Sequence, residues 1–235
     1  MIDLHCHILP GVDDGALDLA DSLAMARQAA ADGIAAVCAT PHIRHDHAVR
    51  IAELAGRVRA LAAAGAAVEL LGGGEVAEPV AASLSDAELR LVPLGGGGRW
   101  ILLEPRVGPL SDALTATVDG LAARGFACVI AHPERHLVED FHDRLRNLTG
   151  RGALVQVTAA LLEGGPAADA LLSLITDDLA HAIASDAHSS HGGRPVRLSG
   201  AFAALRAAGI PEARMRRMAE ELPRAIVRGE PVPTA

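Results

Sequence analysis

Seven short apolar runs divide the chain, at 2–4, 34–39, 67–71, 100–103, 126–131, 153–157 and 180–184, and longer amphipathic stretches separate them. Runs this short without polar alternation suit strands buried on both faces, the condition of a parallel sheet. The stretches between and after them predict helices at 17–32, 48–64, 109–124, 137–150, 166–178, 197–208 and 211–228. Gly33, Gly65, Gly125 and Gly152 stand where a left-handed residue would close several of these, and Pro211 suits a first helical turn. Strand-then-helix order through 235 residues predicts an α/β chain wound into a closed or nearly closed parallel barrel, with an open doubly wound sheet as the alternative. No linker rich in Ser or Pro divides the chain, so one domain is expected. The glycine runs at 72–74 and 95–98 read as loops, and neither follows a nucleotide-binding pattern.

Half of the residues are hydrophobic and 21% are charged, which supplies a sizeable core and argues against disorder. Aromatic residues make up only 2%, so the core must be aliphatic. Every basic residue is arginine. The missing lysine excludes a P-loop, a Schiff base, a lysine general base and a carbamylated-lysine metal bridge; the missing tyrosine excludes a Tyr nucleophile. A formal charge of -8 offers no electrostatic footprint for nucleic acid or an anionic membrane. Cys6, Cys38 and Cys128, an odd number, make no disulfide framework. The first residues lack the basic and apolar segments of a signal peptide, and no apolar run reaches membrane-spanning length. A cytoplasmic protein with no stable membrane insertion is expected; nothing in the pattern speaks to oligomeric state.

Metal-competent side chains cluster at the ends of the predicted strands. His5 and His7 end the first, two residues apart and so on one face of an extended chain. His42 follows the second, Glu75 the third, Glu104 ends the fourth, His132 the fifth, and Asp186 and His188 end the seventh, while Asp14 lies in the first loop. A parallel barrel gathers these ends at one rim. A lone His-x-His is weak, and a single acid after a strand is most often a helix cap; six of seven runs ending this way is a strong set. Nine nitrogen and oxygen donors exceed the needs of one ion and suit two or three that share carboxylates. The absence of thiolate among them fits Mn, Zn or Fe. His45, His47, His136, His142 and His191 are expected at the surface, His191 nearest the site. Cys38 and Arg44 match the C-x5-R pattern of thiol phosphatases, but Pro41 removes a backbone N–H that such a phosphate cradle needs, and Cys38 lies inside an apolar run. That match is expected to be accidental.

The opening Met-Ile-Asp-Leu-His-Cys-His-Ile-Leu-Pro-Gly-Val-Asp-Asp-Gly resembles the polymerase-and-histidinol-phosphatase (PHP) superfamily, and within it the capsule-associated, metal-dependent protein-tyrosine phosphatases of bacteria, the CpsB/YwqE type. Thr40-Pro41-His42, Gly74-Glu75-Val76, Leu103-Glu104, Ala131-His132-Pro133-Glu134-Arg135, Ala184-Ser185-Asp186-Ala187-His188 and Gly193-Arg194-Pro195 match in order. The resemblance implies a single-domain distorted (β/α)7 barrel, TIM-barrel-like, as one PHP phosphatase domain over 1–235. It implies a site in which His5, His7, Glu75 and Asp186 hold one divalent ion, Glu75 bridges to a second held with Glu104 and His132, and Asp14, His42 and His188 hold a third. Arg135 and Arg194 would meet the phosphate, and manganese stands ahead of zinc and iron. Metal-activated water would attack phosphorus in the phosphotyrosine of a bacterial tyrosine kinase of exopolysaccharide or capsule synthesis. A small phosphate ester of the histidinol-phosphate kind is the alternative substrate. An amidohydrolase and a non-catalytic metal-binding regulator are further alternatives. The segment 43–47 brings no aromatic residue to flank a phenol ring, and Val76 and Ala77 stand where relatives often carry larger side chains.

Overall fold

In the computed structural model, which describes residues 1–138 and 140–232, every strand pairs in parallel. The expected domain 1–235 and helix 137–150 thus include positions, 139 and 233–235, outside the described residues. In chain order the strands are β1 (Ile2–Cys6), β2 (Ala36–Ala39), β3 (His42–Ile43), β4 (Glu69–Leu71), β5 (Glu75–Ala77), β6 (Trp100–Glu104), β7 (Ala127–Ala131), β8 (Leu154–Thr158) and β9 (Ala182–Ala184). They pair as β1-β2-β4 and as β3-β5-β6-β7-β8-β9.

These pieces form seven staves, because two staves are broken. β2 and β3 are one stave interrupted at Thr40-Pro41, where proline has no N–H to give a ladder. β4 and β5 are one stave interrupted by the glycines at 72–74. A Cβ on Gly73 would lie 3.2 Å from Thr40 Cγ2, so the two breaks pack against each other. The ring closes beside β1, where the Asp186 N–H donates to the His5 carbonyl at 2.8 Å and the His7 N–H to the Ala187 carbonyl at 2.9 Å. The result is a distorted (β/α)7 barrel. The open-sheet alternative is set aside by that closure.

All seven apolar runs contain strand, with ends shifted by a residue or two. β3 and β5 were outside them, since two- and three-residue strands carry too few side chains to show a period. The short helices Glu78–Ala81, Asp86–Leu89 and Ala159–Leu162 also lay outside the predicted elements. The predicted helix 211–228 is broken by a π-helical segment, Arg217–Glu221, between Glu212–Arg216 and Leu222–Val227.

Two apolar layers hold the barrel. Leu4, Cys38, Leu102, Val129, Leu154, Ala182 and Ala184 fill the interior, and Leu94, Trp100, Leu222 and Ile226 plug the end away from the strand C-termini. The larger outer layer packs helices on strands through residues such as Val37, Ile101, Ile130, Val155 and Ile183. The indole N–H of Trp100 donates to the Glu230 carbonyl at 2.9 Å, which ties the C-terminal segment to the plug.

Gly95 (φ 70°) touches that segment so closely that a Cβ would stand 2.4 Å from Val227 Cβ, whereas Gly96 (φ 71°) has nothing within 4 Å. Both Gly95→Ala and Gly96→Ala strain a left-handed backbone, but only the first meets a wall. Gly95→Ala is expected to cost about 1–3 kcal/mol beyond Gly96→Ala, read as the difference in urea unfolding midpoints. Equal losses would mean that the terminal helix does not close the barrel end tightly.

Candidate metal centre

All nine predicted ligand positions arrive at the C-terminal rim of the barrel. His5 lies in β1 and His7 just after it, His42 opens β3, Glu75 opens β5, Glu104 closes β6, His132 follows β7, and Asp186 and His188 follow β9. Asp14 reaches in from the loop after β1. Two of these residues leave their strands in the left-handed region that rarely suits a side chain, His132 at φ 29° and Asp186 at φ 49°. Backbone held in that region costs free energy and persists where the surroundings over-determine it.

Glu75, fully buried, is the hub. Its Oε1 accepts from His132 Nε2 at 2.7 Å. Its Oε2 stands 3.4 Å from both His5 Nε2 and His7 Nε2. The same oxygen is 2.8 Å from His42 Nδ1, yet too poorly aligned for a hydrogen bond. Asp186 Oδ1 lies 3.5 Å from His5 Nε2 and 3.7 Å from His7 Nε2. Glu104 Oε2 is 3.7 Å from His42 Nδ1, and Asp14 Oδ1 is 3.4 Å from His42 Nε2 and 3.6 Å from His188 Nε2. Four sets of donors gather within reach of one point each: His7, Asp14, His42 and His188; His5, His7 and Glu75; His5, His132 and Asp186; His42, Glu75 and Glu104.

These residues fit cations. Glu75 Oε2 and Asp186 Oδ1 are buried carboxylate oxygens that accept no hydrogen bond, and His42 Nδ1 and His132 Nδ1 are equally without partners. A buried polar atom without a partner is costly, so a rim that holds four of them suits bound cations. The imidazoles agree. His5 Nδ1–H donates to Gln156 Oε1 at 2.9 Å and His7 Nδ1–H to Asp13 Oδ2 at 2.8 Å, which turns both Nε2 lone pairs inward, 3.1 Å apart. Two lone pairs at that distance repel unless a proton or a metal ion stands between them.

The electrostatics follow from that crowding. Burial would push the Glu75 carboxyl up, but His5, His132 and His42 outweigh it and hold it well below the usual range. Burial opposes charge on His7, yet Asp13 and Glu75 raise it to about 10. Burial likewise opposes ionised Asp186, while His5, His132 and Arg194 bring it to about 2. His188, pressed by burial and by the charge on His7, falls to about 4. Burial and the neighbouring Glu75 push Glu104 up.

Asp13 and Gln156 were not among the predicted site residues. One Asp13 carboxylate takes the His7 ring N–H, the His42 backbone N–H at 2.9 Å and the Gly15 N–H at 3.0 Å. Its sequence signal was the Asp-Asp-Gly triplet, since a Cβ on Gly15 would stand 2.2 Å from the His7 carbonyl. The signal for Gln156 was a lone polar side chain inside an apolar run. Behind them, buried Asp3 accepts from the Ser185 hydroxyl at 2.5 Å and its N–H at 3.0 Å, bracing the strand end that carries Asp186.

Arg135 and Arg194 converge on Asp186 Oδ2, with Nη2 at 2.6 and 2.8 Å, and Arg194 Nε–H also donates to the Asp186 carbonyl at 2.8 Å. Among the histidines expected at the surface, His45 and His191 are exposed and His142 is half-buried, but His136 is buried and donates to the Gly108 carbonyl. The one that meets the site is His47, not His191: the segment after β3 folds back so that its ring stacks on His42, centroids 5.2 Å apart. All three cysteines are free and buried. Cys38 lies in the barrel interior with its thiol pushed far up by burial, while Arg44 is at the rim, so the C-x5-R match places no nucleophile beside a phosphate clamp.

A family model described as capsular polysaccharide synthesis, CpsB/CapC, matches residues 1–228. The chain is 34% identical over 198 residues to the tyrosine-protein phosphatase YwqE of Bacillus subtilis (strain 168), covering 80% of this chain and 78% of that one. It is 29% identical over 206 residues to the putative tyrosine-protein phosphatase CapC of Staphylococcus aureus, covering 80% and 77%. A crystal structure from work on YwqE from Bacillus subtilis and CpsB from Streptococcus pneumoniae, described as unique metal-dependent tyrosine phosphatases, aligns with a TM-score of 0.82 at 30% identity, covering 98% of this chain and 95% of that one.

The geometry around His7 leads to two expectations. Asp13→Ala removes the acceptor that turns the ring, so divalent-ion affinity should fall about 10- to 100-fold in chelator competition; wild-type affinity would show that Asp13 does not orient the ring. With its pKa near 10, His7 of the chelated protein keeps its proton at pH 8, and a metal ion takes only neutral imidazole. Metal uptake should therefore release protons and tighten as pH rises toward 10. Calorimetry in two buffers of different ionisation enthalpy reads this directly, and identical heats would rule it out.

Proposed function

The chain belongs to the CpsB/CapC family of capsular polysaccharide synthesis, and on that footing we propose that it is a metal-dependent phosphatase of protein phosphotyrosine. The chief support is the pair of buried, unpartnered carboxylate oxygens, Glu75 Oε2 and Asp186 Oδ1, facing inward-turned imidazoles. The relatives named tyrosine-protein phosphatases supply the substrate class.

We assign two or three divalent ions, manganese ahead of zinc and iron. His5, His7, Glu75 and Asp186 would hold one, Glu75, Glu104 and His132 a second, and Asp14, His42 and His188 a third. His7 also lies within reach of the last group. Bound there, the ions would lower the pKa of a water molecule and draw charge from the phosphoryl oxygens.

The chain's own residues do the rest. A cavity of 320 Å³ at the rim, lined by Asp14, His42, Arg44, Arg135, His188 and Arg194, receives the phosphoryl group. Arg135 and Arg194 present planar donors to its oxygens and orient it for in-line attack. Gln156 and Asp13 keep the His5 and His7 rings from turning. A phenol leaves with a pKa of about 10, so departure needs little help from a general acid. The protein partner is taken to be a bacterial tyrosine kinase of exopolysaccharide or capsule synthesis, met in the cytoplasm, where three free cysteines are at ease. Among the described residues no helix is long and apolar enough to cross a membrane.

One observation favours a smaller substrate. Trp100, Phe126, Phe141 and Phe202 are all buried in the core, so no Phe or Trp side chain borders the cavity to stack on a phenol ring. Kinetics on p-nitrophenyl phosphate, phosphotyrosyl peptides and histidinol phosphate, each before chelation, after it and after adding Mn, Zn or Fe, decide both matters. Chelation should abolish turnover and one metal restore it, with kcat/KM highest on the peptides. Turnover indifferent to chelation would overturn the metal dependence, and bound metal without turnover would overturn the phosphatase. Histidinol phosphate as the best substrate would give the small-ester alternative.

A further inference from the structure

We propose that Arg44 is a third phosphate-binding arginine of this site, held in reserve by Asp46 until the anionic substrate displaces that carboxylate. The inference rests on the phosphatase function proposed above and adds a recognition residue to it.

Arg44 follows His42 by two residues and lines the same 320 Å³ cavity as Arg135, Arg194 and His188. Its Nη1 stands 3.7 Å from Glu104 Oε1, so the guanidinium reaches the edge of the carboxylate and imidazole cluster itself. The other two donors are engaged: Nε–H donates to Asp46 Oδ1 at 3.0 Å and Nη2–H to Asp46 Oδ2 at 2.8 Å. That two-pronged pairing is the one a guanidinium makes with two oxygens of a phosphate. Asp46 thus occupies the fork with the chemistry of the ligand.

What separates Arg44 from the other two arginines is the partner. Arg135 and Arg194 pair with Asp186, which is 1% exposed and belongs to the predicted ligand set. Asp46 is 60% exposed and, among the described residues, accepts hydrogen bonds from no side chain but Arg44. An exposed pair of this kind adds little stability, and water receives the released carboxylate without penalty. A phosphate monoester carries nearly twice the charge of a carboxylate, so it wins the exchange once it is in the cavity. The pair therefore acts as a gate on affinity: it keeps the arginine pointed at the cavity and discourages weaker anions such as simple carboxylates.

The two halves of the pair predict effects of opposite sign. With the metal-loaded protein, Arg44→Ala should raise the KM for p-nitrophenyl phosphate and the Kd for inorganic phosphate about tenfold, with a smaller change in kcat. Asp46→Ala should lower both about two- to threefold, because nothing then competes for the fork. The double variant should behave as Arg44→Ala alone. A pair that merely shapes the loop would make both single variants shift KM in the same direction, or not at all, and either result overturns the proposal. So would a double variant in which the Asp46→Ala gain persists without Arg44. If the wild type turns over no phosphate ester, the phosphatase function itself fails, and the phosphate Kd across the four proteins still decides what Arg44 does.

Discussion

A carboxylate with no exposure to water sits among four imidazoles, and much of the molecule is arranged to keep it there. Glu75 enters the rim just after the glycines that break its stave, and His42 faces it just after the break at Pro41 in the neighbouring stave. The two breaks are packed against each other, so neither stave straightens independently. Charge completes what the backbone begins: with the imidazoles drawn in, Glu75 stays ionised in spite of its burial, and with Glu75 ionised, His7 keeps its affinity for a proton or a cation. Remove the hub and His5, His42 and His132 lose the buried carboxylate they face, a loss that a protein of ordinary stability does not tolerate easily.

The barrel and most of this rim were legible from the chain alone because they rest on patterns several residues long. A run such as 126–131, apolar and followed by His132, announces a buried strand and what stands at its end. His5 and His7 announce themselves by sharing one face of an extended chain. What escaped notice was shorter or required a third dimension. β3 is two residues long, too few for a period. Asp13 looks like any acid in a loop until the chain folds and one carboxylate collects hydrogen bonds from His7, His42 and Gly15. His136 carries a polar ring, so it reads as surface, yet the Gly108 carbonyl satisfies it inside. His47 lies closer to the rim than His191 because the loop after β3 doubles back, a turn that no local residue preference dictates.

The family likeness and the geometry support each other without duplicating information. Relatives named as tyrosine-protein phosphatases point to a reaction; the unpartnered oxygens of Glu75 and Asp186 point to the kind of ion the pocket wants. The backbone adds a third strand of support. His132 and Asp186 hold left-handed conformations at their strand ends, where an ordinary residue would relax into the loop. Strain of this sort is kept where position matters more than comfort.

Asp13 has one more consequence. Its carboxylate takes the ring of His7 and, with the same oxygen, the backbone of His42, so the last fixed point before the rim loop is nailed from below, by the first loop of the barrel. The loop at 44–47 hangs from that nail as a mouthpiece hangs from an instrument. The loop is still in touch with the rings beneath it, since His47 lies on His42 and Arg44 reaches Glu104. Changes of substrate preference at Arg44 and Asp46 therefore start from a base that Asp13 holds fixed.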